Sequence, residues 1–88
     1  MGEAPCSELE IRRAQVADVA RGILEQRIRL DEGARALAAL QPDVDPGEED
    51  PELRFFREIA RHLGDERPPR ELVARACHAL VVRYGAPS

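Results

Sequence analysis

At 88 residues, with Leu, Ile, Val and Phe at 21 positions, the chain has material for one small hydrophobic core and none for a second. Its net charge of −4, with 13 arginines interleaved among 17 acids, argues against a general nucleic-acid binder. No apolar run approaches the ~20 residues of a membrane-spanning helix, so no membrane attachment is expected.

Lys, Thr, Asn and Trp are absent, and serine occurs only at Ser7 and Ser88. That removes a lysine Schiff base, a Walker-type phosphate loop and a threonine nucleophile. Every basic residue is Arg, which reads as the product of a GC-rich bacterial genome. The start, Met1-Gly2-Glu3-Ala4-Pro5-Cys6, lacks the basic and apolar regions of a signal peptide, so a reducing cytoplasm is the expected setting. There Cys6 and Cys77 are expected as two free thiols, with Cys77 a small core residue.

Residues 1–6 read as a loose tail, 7–85 as a single helical domain and 86–88 as a second tail. Ser7-Glu8-Leu9-Glu10 has the form of a capping box, opening a helix over about Glu8 to Arg27. Leu9, Val16 and Ile23 recur every seven residues, with Val19, Ala20 and Leu24 widening the apolar stripe. Arg12 and Arg13 interrupt it. A second helix begins at a cap on Asp31, presents Leu30, Ala34, Leu37 and Leu40, and stops at Pro42. Gly33 weakens that helix, which suggests close packing against the first.

From Pro42 to Pro51 the chain holds three prolines, Gly47 and the acids Asp43, Asp45, Glu48, Glu49 and Asp50, with nothing basic among them. So many carboxylates predict an exposed loop. Asp50-Pro51-Glu52 is an N-cap, a proline at the first helical position and an acid in the first turn. The third helix is predicted over Pro51 to Leu63, with Leu53, Phe56, Ile59, Ala60 and Leu63 inward and Gly64 as its stop. The fourth covers about Pro69 to Tyr84, with Val73, Ala76, Cys77, Leu80, Val81 and Tyr84 inward. The expected fold is all-α: a compact bundle of about four antiparallel helices with an acidic Pro/Gly loop between helices 2 and 3.

No catalytic constellation emerges. Cys77 beside His78 has the atoms of a nucleophile and base, but neighbours on a helix project about 100° apart. The same divergence weakens a zinc site built from His62, Cys77 and His78, and Asp43-x-Asp45-x-Gly47 lacks the order of an EF-hand loop. No enzyme activity, metal or cofactor is expected. The acidic loop has two readings, a solvated linker or a surface that steers a basic partner. Phe55 and Val82 fall outside the stripes that bury their own helices. They either pack on neighbouring elements or form an apolar patch beside the loop.

Ile23-Leu24, Ile28, Glu32-Gly33-Ala34, Leu37 and Leu40, followed by Phe56 and Ile59, resemble a pattern in small uncharacterised bacterial all-helical proteins. Small size, acidity and helicity are similar, at the level of class, to the nuclease-bacteriocin immunity proteins. That class implies a protein that works by occluding another protein's surface. The paired tyrosines followed by proline that mark its toxin-binding helix have no counterpart here.

The expected function is therefore a small cytoplasmic bacterial interaction module, an adaptor or antitoxin, with Asp43, Asp45, Glu48, Glu49 and Asp50 steering and Phe55 anchoring. Its expected partner is another protein with a basic surface, and self-association is compatible with the small core. Two alternatives stand beside it. One is a sensor of a small ligand or metal using Cys77, His62 and His78. The other is a dimeric nucleic-acid-binding regulator gathering Arg12, Arg13, Arg21 and Arg27 on one face.

Overall fold

The four apolar-striped segments fold as helices joined by short connections, and Asp50 caps the third with its side chain. The computed structural model describes residues 8–62 and 68–85, and these form α1 (Glu8–Leu24), α2 (Leu30–Val44), α3 (Pro51–Arg61) and α4 (Arg70–Tyr84). No strand occurs among the described residues. The tails, the Ser7 cap, Cys6, Leu63 and Gly64 lie outside them.

Side-chain contacts orient each neighbouring pair antiparallel. Arg12 near the start of α1 reaches Asp43 near the end of α2, and Arg13 meets Arg83 and Tyr84 at the end of α4. Glu52, early in α3, pairs with Arg83, late in α4. Each helix touches its sequence neighbours, and α4 closes the ring on α1, while α3 and α4 meet over a shorter stretch. Val16, Ala20, Leu37, Leu53, Phe56, Cys77 and Leu80 form the centre of one shared core. Ala17, Ala20, Ala34 and Ala76 are buried too, so small side chains bring the helices together where aromatics are scarce.

Four boundaries differ from the sequence reading. The first helix ends at Leu24 instead of Arg27. The Arg27 N–H donates to the Gly22 carbonyl and the Gln26 N–H to Ile23, while Gln26 takes a left-handed φ of 62°. This is a Schellman stop built on glutamine, without the glycine that would flag it in sequence. A Gln26→Gly substitution is expected to stabilise the fold by about 0.5–1 kcal/mol, read as a higher urea midpoint at unchanged slope.

The second helix starts one residue before Asp31, capped by extended Arg29 without a side-chain bond, and Asp31 falls in its first turn. It also runs through Pro42 to Val44. Proline denies a donor only to the carbonyl four residues back, and near a C-terminus the following turn still closes, here through the Asp45 N–H on Gln41. The third helix ends at Arg61 with His62 as its C-cap.

Gly33 does serve close packing. A β-carbon there would stand 2.6 Å from Ile23 Cγ1, and one on Gly22 would stand 2.7 Å from Ile28 Cγ1. Two isoleucines thus seat over two glycines at the α1–α2 elbow.

Candidate functional site

The acidic segment is not a loose, fully solvated loop. Asp45 caps α2 and folds its own carboxylate over the chain that follows: its Oδ1 accepts from the Glu49 N–H at 3.1 Å and its Oδ2 from the Asp50 N–H at 2.8 Å. The Glu48 N–H closes a turn onto the Asp45 carbonyl, with Pro46 at the second position and Glu48 left-handed at φ 56°.

Asp50 corrects the expectation most sharply. It is 7% exposed and its carboxylate binds four donors. Oδ1 takes the N–H groups of Glu52 and Leu53, capping α3, and Arg83 Nη1 at 2.8 Å. Oδ2 accepts the Tyr84 hydroxyl at 2.7 Å. Arg13 lies over the Tyr84 ring, 4.7 Å from its centre. One carboxylate therefore joins the start of α3 to the end of α4 and cannot face a partner.

Burial alone would raise the Asp50 carboxyl, but the Tyr84 hydroxyl, Arg83 and the Leu53 N–H outweigh it and hold it below the ordinary carboxylate value. Burial first, then Asp50, push the Tyr84 phenol up. The lowered Asp50 value contributes stability above its unfolded pKa near 4, and the contribution is lost as pH falls through the folded value. The raised Tyr84 value contributes below about pH 10 and is lost as pH rises through its folded value. Thermal melts of Asp50→Asn should therefore differ most from the natural chain between about pH 5 and 9, and converge with it as pH falls through the lowered Asp50 value.

Two of the remaining acids meet arginines from other elements, which a linear reading of the loop could not show. Asp43 pairs with Arg12 at 3.6 Å and Glu48 with Arg57, while Glu49 is exposed at the loop tip. Phe55 is half-buried, edge-on to Phe56 with ring centres 5.3 Å apart, so it packs partly on its neighbour as well as lining the surface. Val82 stands apart at 70% exposure.

The described surface includes the following recesses. One of about 500 Å³ is lined by Phe55, Pro51, Arg54, Glu58, Glu48 and Arg57. Across the Glu48–Arg57 pair lies a second of about 340 Å³, formed by Ala38, Gln41, Pro42, Asp45 and Pro46 with the same two residues. The third, about 670 Å³, sits at the elbow between Ile23, Leu24, Ile28, Leu30, Val73 and Cys77, with Arg29 and Arg70 at its rim.

No family model, curated protein or solved structure matches this chain.

Chemistry must therefore be read from the groups themselves. The buried Cys77 thiol is pushed up to about 11 by burial, so it stays protonated at neutral pH and is a poor nucleophile. His78 is exposed while Cys77 is buried, so the two do not converge. His62 is exposed, with Nε2 3.5 Å from Glu58. Among the described residues no three His, Cys, Asp or Glu side chains gather as a metal site. Of the four arginines considered for nucleic acid, Arg12 is engaged with Asp43, Arg13 with Tyr84 and Arg27 with Glu25. No described helix is long and apolar enough to cross a membrane.

One residue escaped the sequence reading altogether. Gln41, on the inner side of α2, is 2% exposed, and its side-chain nitrogen has no hydrogen-bond partner. Gln41 stands four residues after Leu37 and seven after Ala34, on the inward stripe, but its polar side chain and the proline that follows hid it from the hydrophobic pattern.

Proposed function

We propose that this protein is a small cytoplasmic bacterial interaction module, of adaptor or antitoxin type, that binds another protein through the face around Glu48, Glu49 and Phe55. The observation that carries this reading is the internal bracing of the acidic loop. Asp45 and Asp50 are spent on the chain's own N–H groups, so Glu48 and Glu49 sit on a fixed backbone beside a half-buried aromatic ring. A surface already ordered loses little conformational entropy on binding, which favours affinity.

The loop is also less negative than its sequence suggests. Arg12, Arg57 and Arg83 answer Asp43, Glu48 and Asp50. Steering of a basic partner therefore rests mainly on Glu49 and Glu48, with Asp43 turned toward α1. The testing experiment is affinity capture from a bacterial lysate with the natural chain and with Glu48→Arg/Glu49→Arg, followed by binding of the purified partner at two salt concentrations. The reading expects capture by the natural chain only, with an association rate that falls with salt. Equal capture by both chains would refute this face.

The elbow recess supports a second reading, a sensor of a small apolar ligand. Its volume and apolar wall fall in the range of small-molecule sites. A ligand-dependent rise in Tm that Val73→Trp abolishes would favour it over the first.

A further inference from the structure

Two defects in the hydrogen bonding of α2 fall side by side. Pro42 has no N–H, so the Ala38 carbonyl loses the donor that residue 42 of a regular helix would supply. The adjacent Gln41 side-chain nitrogen, buried, lacks an acceptor. A buried donor without a partner in the chain is costly, so it calls for an acceptor from outside the chain. Ala38, Gln41 and Pro42 all line the 340 Å³ recess, whose other wall carries Asp45 and Glu48. The Gln41 side-chain nitrogen lacks an acceptor here, beside the carboxylates of Asp45 and Glu48. A peptide carbonyl with a cationic side chain nearby answers both.

We propose that this recess seats an extended basic peptide segment of a partner, with a main-chain carbonyl accepting from Gln41 Nε2, a cationic side chain over Asp45 and Glu48, and a neighbouring apolar side chain on Phe55. The inference rests on the protein-binding reading and deepens it. Arg57 lies across both recesses, touching Glu48 and, at 3.5 Å, the Gln41 side-chain oxygen. Its side chain is 35% exposed, and in this proposal it swings aside to admit the peptide carbonyl to the buried Gln41 nitrogen. The adjoining Phe55 recess then continues the track, so an extended chain crossing the Glu48–Arg57 pair meets a polar seat and an apolar one in succession. Main-chain bonding gives such a mode its affinity, and alternate side-chain pockets give it sequence preference.

The probe is the capped peptide acetyl-Leu-Arg-Ala-amide, with acetyl-Leu-Glu-Ala-amide as its charge control, titrated into the full chain while the Gln41 side-chain amide is followed by NMR. The Arg peptide is expected to shift the Gln41 amide and the Phe55 ring, and the Glu peptide to shift neither. Gln41→Met, which removes the orphaned donor at similar volume, should weaken Arg-peptide binding about tenfold while leaving Tm unchanged or higher. An unmoved Gln41 amide at millimolar Arg peptide overturns the proposal, as does undiminished binding to Gln41→Met; either result would mean that water alone satisfies the amide. Binding that survives Gln41→Met but is lost in Glu48→Arg/Glu49→Arg would overturn this seat and leave the wider protein-binding face standing.

Discussion

Replacing Asp50 with alanine is expected to lower the unfolding free energy by about 2–3 kcal/mol, and with it Tm by about 10–20 °C. Two losses contribute. The α3 cap disappears, which costs about 1 kcal/mol. The Tyr84 hydroxyl, buried against Asp50, is left without its acceptor, which costs about 1–2 kcal/mol more. Arg83 adds little to this sum, because its guanidinium is nearly half exposed and water can replace the carboxylate. Asp50→Asn separates the parts: an amide oxygen still caps α3, so its expected loss is nearer 1 kcal/mol. Urea unfolding of the two variants and of Tyr84→Phe checks the account. Equal midpoints for Asp50→Ala and the natural chain would show that the clamp between α3 and α4 carries no stability.

Gly33→Leu is expected to destabilise the chain by about 2 kcal/mol, despite leucine's better helix propensity. The new side chain begins where Ile23 already stands, since a β-carbon at 33 would approach Ile23 Cγ1 to 2.6 Å. Relief requires Ile23 to leave its rotamer or α1 and α2 to part. Ile23→Ala alone should cost about 2–4 kcal/mol through the space it vacates. Combined, the two changes should cost less than their sum by at least about 1 kcal/mol, because the leucine fills what the isoleucine leaves. A double-mutant cycle by chemical denaturation reads this directly. Strict additivity would show that the helices do not meet through these residues.

The same two regions show where local sequence suffices and where it does not. Four helices, the inward stripe of α4 and the Asp50-Pro51-Glu52 start of α3 follow from periodicity and capping, which act over three or four residues and so are written contiguously. The packing role of Gly33 was also legible, because a poor helix former inside a helix calls for a spatial reason. The end of α1 was not, since its left-handed residue is a glutamine, at a turn where Ile28 packs back over Gly22.

The acidic loop is the clearest divide. Composition alone determined that it must carry charge and could not be buried unpaired. It could not determine that the donors answering these carboxylates arrive from α1, α3 and α4, between 9 and 34 residues away. Local patterns therefore set which segments are helical and most of the side of each that turns inward, although Leu9 and Leu24 of the expected α1 stripe are exposed. Tertiary structure alone decided which carboxylates are spent on the fold and which face outward, and it alone left Gln41 beneath a recess, because hydrogen-bond satisfaction depends on partners brought together through space.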